Sequence, residues 1–114
     1  KAIRRQPSDV YKRQGFVYWC INKAGISQGY MTSYMWRSCT RYQRNNNINN
    51  VKRGDVIVYY GHVAICSGKW TMIDASQSNG RIVERSFNSN YWHRNFIAHS
   101  AYSDNIGKAV EQKI

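Results

Sequence analysis

The sequence predicts an α+β fold in which N-terminal helices pack on an antiparallel sheet of about five strands. Two observations carry this. Ahead of residue 45 apolar residues recur at helical spacing, and from residue 55 to 99 short β-branched and aromatic runs alternate with glycine and polar turns. Helices first and strands afterwards is the pattern of segregated α+β architectures rather than of alternating α/β folds. The 114 residues, at 13.3 kDa, provide for one domain of ordinary size.

The first helix is expected over residues 16–24, where Phe16, Trp19, Cys20 and Lys23 share one side and Gly25 marks the stop. A second is expected from Ser33 to Tyr42, with Ser33 as its cap and Trp36, Cys39 and Thr40 on one face. Asn45 to Asn50 reads as a surface loop, because asparagine favours turns over ladders and helices. Strands follow at Asp55–Tyr60, His62–Ser67, Trp70–Ala75, Arg81–Arg85 and Asn95–His99, the first three joined by tight connections as an antiparallel meander. Residues 103–114 space Ile106, Ala109, Val110 and Ile114 as a short amphipathic helix.

Seventeen Lys and Arg against six Asp and Glu give a net charge of +11. The charge suits polyanionic surroundings such as nucleic acid, anionic lipid or wall teichoic acids, but beyond position 14 the excess is +7 and contains no block of like charge, so the expected reading is a solvated basic surface, with nucleic-acid binding the lesser alternative. No run of about 18 apolar residues is present, so no membrane span is expected, and no signal peptide is recognisable. Cys20, Cys39 and Cys66 are odd in number and lack metal-ligand spacing, and His62, His93 and His99 lack the paired spacing of a metalloprotease. No metal or cofactor is expected. The Arg53-Gly54-Asp55 tripeptide is explained as the turn that opens a strand.

His62, preceded by Gly61 at the start of a strand, is placed to face a cleft, and Asp74 ends the neighbouring strand. A carboxylate there can accept the proton of one ring nitrogen and leave the other as a base, which supplies the base and the orienting group of a nucleophilic site. The nucleophile should stand at the amino end of the first helix, where the dipole and backbone N–H groups favour a thiolate and an oxyanion. That segment reads Tyr11-Lys12-Arg13-Gln14-Gly15-Phe16-Val17 and contains no thiol. Cys20 lies two turns further along and is expected in the core.

Gly15-Phe16-Val17-Tyr18-Trp19-Cys20, Arg53-Gly54-Asp55-Val56-Ile57-Val58, Gly61-His62-Val63-Ala64-Ile65 and Met72-Ile73-Asp74-Ala75 together resemble the NlpC family of papain-like bacterial cell-wall cysteine peptidases, from Gly15 to about Ala98. The resemblance implies a papain-like fold and a helix opening Tyr-Asp-Cys-Ser-Gly-Phe-Val. By position it gives His62 the role of base, Asp74 that of orienting group, and Tyr11 and Gly61 places beside the substrate. Arg13 falls on the nucleophile and cannot serve as one. Intact relatives hydrolyse stem-peptide bonds in peptidoglycan at the cell wall, as secreted bacterial enzymes or phage lysins, which implies peptidoglycan stem peptides and anionic wall polymers as partners of a monomeric domain. An inactive wall-binding module is the alternative.

Asp9 to Gln14 is also what the codons GAT GTG TAT AAG AGA CAG specify, and these look like the end sequence of a transposon used in preparing sequencing libraries. Residues 1–14 are therefore expected to be non-native, residues 15–102 to form the peptidase domain and residues 103–114 a tail. A natural pseudoenzyme carrying Arg13 is the competing reading.

Overall fold

The computed structural model describes residues 14–25, 29–39, 44–76 and 81–101. Helix α1 runs Gln14–Lys23 and stops where Gly25 takes φ +88°, its N–H donating back to the Asn22 carbonyl. Helix α2 covers only Ser33–Arg37, shorter than its apolar spacing suggests. Its cap is Thr32 rather than Ser33: the Thr32 hydroxyl accepts from the Met35 N–H at 3.2 Å, because Thr32 keeps the extended backbone an N-cap requires.

Among the described residues six strands form one antiparallel sheet: β1 (Arg44–Asn45), β2 (Asp55–Tyr59), β3 (His62–Gly68), β4 (Thr71–Ser76), β5 (Arg81–Ser86) and β6 (Phe96–Ala101), in the order β1-β6-β2-β3-β4-β5. The expected meander of three strands is β2 to β4; β5 extends it by pairing with β4, and β6 returns to pair with the free edge of β2. The sixth strand, β1, comes from the asparagine segment expected to be loop. Arg44 and Asn45 pair with Ser100 and His99, and Asn47 then caps a single 3-10 turn at Ile48–Asn50 by accepting from the Asn49 N–H. A third helix, α3 (Asn90–Asn95), follows Ser89, whose hydroxyl accepts from the Trp92 N–H, and was not expected from spacing. The amphipathic pattern at 103–114 lies outside the described residues.

Alternation along the strands splits the core into two layers. On the first face Val56, Val58, Val63, Ile65, Ile73 and Ala75 pack against Phe16, Val17, Cys20 and Ile21 of α1 and Trp36 of α2. On the second, Ile57, Tyr59, Ala64, Cys66, Met72 and Phe87 lie beneath Trp70, Trp92 and Phe96. No helix among the described residues is long and apolar enough to cross a membrane.

Candidate active site

The Tyr60–Gly61 turn joins β2 to β3, with Tyr59 paired directly to His62. Gly61 takes φ +71°, a conformation that strains any L side chain, so glycine there allows the tight reversal that makes His62 the first residue of its strand. His62 and Asp74 fall on the second face by alternation. The register sets Ile65 opposite Ile73, which puts His62 and Asp74 diagonally across the β3–β4 pair.

The structure brings these two together. His62 Nε2 lies 2.7 Å from Asp74 Oδ2; the imidazole is 16% exposed and the carboxylate fully buried. An ionised carboxylate only accepts, so Nε2 carries the proton of this bond and Nδ1 is the nitrogen not engaged by Asp74. Arg85 of β5 completes the environment of Asp74, donating from Nε to Oδ1 at 3.1 Å and from Nη2 to Oδ2 at 2.6 Å. Three donors thus serve one buried carboxylate, the condition under which a buried charge is tolerated.

Above this group lies the indole of Trp92, 5.7 Å from the imidazole centroid and beneath the Arg85 guanidinium at 4.9 Å. Tyr59 packs against Trp92 at 4.7 Å, its hydroxyl donating to Met72 Sδ. Burial, reinforced by the Asp74 charge, pushes the Tyr59 phenol far above its ordinary range, so it stays neutral. The site opens into a cleft of about 620 Å³ edged by Tyr60, Ser76, Tyr91 and Asn95, with Gly61 in its wall.

Arg13 and Tyr11, expected at the nucleophile position and beside the substrate, lie outside the described residues. Cys20 is fully buried in the first-face core, as its position two turns into α1 suggests. Cys66 is buried on the second face and donates to the Gly68 carbonyl; burial pushes its thiol up to about 11, so it is no ready nucleophile. Asp55 of the Arg-Gly-Asp tripeptide is buried and bonded to His99 Nδ1 at 2.8 Å, which removes its carboxylate from any surface recognition. Among the described residues no group of three or more His, Cys, Asp or Glu could hold a metal ion.

Arg85 and Trp92 join the site without being expected from the sequence. Arg85 closes the strand expected over Arg81–Arg85, and its parity with Val83, the partner of Asp74, places it on the Asp74 face. Trp92 had no such signal, because α3 itself was not expected.

The described residues thus form an α+β domain with a histidine at a strand start bonded to a buried carboxylate on the adjacent strand. The NlpC/P60 family model matches residues 9–101, and the chain belongs to that family, whose members are generally cysteine peptidases and often secreted or associated with the cell wall. No curated protein matches the sequence significantly.

Proposed function

We propose that this chain is the catalytic domain of a peptidoglycan endopeptidase in which His62 is the general base, Asp74 orients it, and the nucleophile position is occupied by Arg13. The bond of 2.7 Å between His62 and a fully buried Asp74 carries this reading, since it fixes the tautomer a base of this kind needs.

With a thiol at position 13, Nδ1 of His62 would take the thiol proton as sulfur attacks the stem-peptide carbonyl. The imidazolium would then protonate the departing amine, and water activated by the same nitrogen would hydrolyse the thioester. Gly61 and Tyr60 border the cleft beside His62, and the family resemblance gives Tyr11 a place beside the substrate as well. With Arg13 in place no acyl-enzyme can form.

Residues 1–14 are non-native on this reading, residues 15–102 are the peptidase domain and residues 103–114 a tail; the natural protein acts as a monomer at the cell wall, as a secreted enzyme or a lysin. Arg13 itself favours a second reading, a wall-binding module that retains the fold without the chemistry. Restoring the thiol and measuring amine release from peptidoglycan separates the two.

A further inference from the structure

Arg85 stands outside the base-and-orienter pair, yet its contacts meet that pair at one atom. Asp74 Oδ2 receives His62 Nε2 at 2.7 Å and Arg85 Nη2 at 2.6 Å, while Arg85 Nε holds Oδ1. The two-point fork fixes the carboxylate plane as well as its position, which a single point charge would not. Trp92 in turn holds the guanidinium from its other side.

A fully buried carboxylate next to an imidazole needs one positive charge. Arg85 supplies it, so the imidazole does not have to. We propose that Arg85 is a positioning residue that, by compensating Asp74, keeps His62 uncharged with its proton on Nε2 and its lone pair on Nδ1. The importance of this for hydrolysis rests on the role proposed above for His62; the charge relationship itself does not.

The other groups facing His62 do not replace Arg85. Tyr59 of β2 is neutral and bonded to Met72, and α3 contributes the uncharged Trp92 and Asn95. At the cleft edge Arg37 lies over the Tyr60 ring and Arg94 over Tyr91, both directed at aromatic faces rather than at Asp74. Glu84 falls on the opposite face of β5 by alternation.

The test is nitrogen NMR of the 15N-labelled chain as it exists, reading charge and tautomer of the His62 ring at pH 7, with its signals assigned by their loss in His62→Gln. The native ring is expected to be neutral and protonated at Nε2. Arg85→Met should raise the imidazolium-to-imidazole ratio about tenfold, the effect of removing one neighbouring charge, and Arg85→Lys should return most of that change. On an Asp74→Asn background the same Arg85→Met change should alter the ratio by less than about threefold, since the coupling runs through the carboxylate.

A folded Arg85→Met chain with the native ratio and tautomer overturns the proposal, as does an equal shift in the Met and Lys variants, or an undiminished shift on the Asp74→Asn background. Should Arg85→Met not fold, a native ring found charged or protonated at Nδ1 overturns it equally. A restored thiol that fails to cut peptidoglycan while these spectra behave as expected removes the peptidase reading and leaves the role of Arg85 standing.

Discussion

Trp92 lies tilted against His62, ring centroids 5.7 Å apart, with the Arg85 guanidinium over its ring at 4.9 Å, so one indole touches both donors to Asp74. Removing it would admit water to the His62–Asp74 bond and weaken it in the higher dielectric. Trp92→Ala should cost about 2 kcal/mol of stability, less than a fully buried tryptophan because the ring is half-buried, and Trp92→Phe less again. Chemical denaturation measures this. In a chain with the thiol restored, Trp92→Ala should also lower kcat more than it raises KM.

A second histidine–carboxylate pair provides a control. His99 Nδ1 contacts Asp55 Oδ2 at 2.8 Å, His99 Nε2 contacts the Asn47 carbonyl at 3.1 Å, and Asp55 also accepts from the Lys52 N–H. These bonds tie the asparagine segment to β2 and β6, on the far side of β2 from His62 in the strand order. Asp55→Ala should destabilise by about 3–5 kcal/mol by breaking a buried pair. Thermal melts should show that loss, while the ring spectrum of His62 in the folded fraction stays native.

Alkaline pH should weaken the fold in a defined window. Burial raises the Cys66 thiol from 9.0 to about 11 in the folded chain and raises the Tyr59 phenol further. A group with a raised folded value contributes its full stability below the unfolded value, because both states then hold the proton. Above it the unfolded chain releases a proton that the folded chain retains, so stability falls as pH rises. The decline should begin near pH 9 and continue through about 11 for Cys66, with Tyr59 adding from about pH 10 upward. Urea midpoints across this range check it, and Cys66→Ala should remove the earlier part of the slope.

The net charge of +11 is scattered, and Lys23, Lys52, Arg53, Lys69, Arg81 and Arg94 are all exposed. Attraction of this kind to teichoic or other anionic wall polymers is screened within about 8–10 Å at physiological salt. Retention on purified walls should therefore fall steeply between low and high salt. Unchanged retention would assign binding to stem-peptide contacts in the cleft.

The strands from β2 to β5 were legible because glycine punctuates β-branched runs and each run has its own alternation. The meeting of His62 with Asp74 was legible for the same reason, since hairpin connectivity constrains which strand ends lie together. What escaped the sequence were features decided by tertiary contact. Arg44 and Asn45 become a strand only because β6 returns beside them, and asparagine propensity does not encode that partner. Helix α2 stops at Arg37 although its spacing continues, and α3 depends on the Ser89 cap more than on a wide apolar face. Arg85 was hidden because a charged residue in a short strand ordinarily faces solvent.

The most direct measurement is release of free amines from purified peptidoglycan by a folded chain carrying Lys12→Asp, Arg13→Cys and Gln14→Ser behind a family-like upstream segment. Amine release should appear, disappear with His62→Ala, and survive Cys20→Ala, which should cost stability alone. No release by that folded chain, or release that persists without His62 and vanishes without Cys20, would contradict the placement of the site at His62 and Asp74.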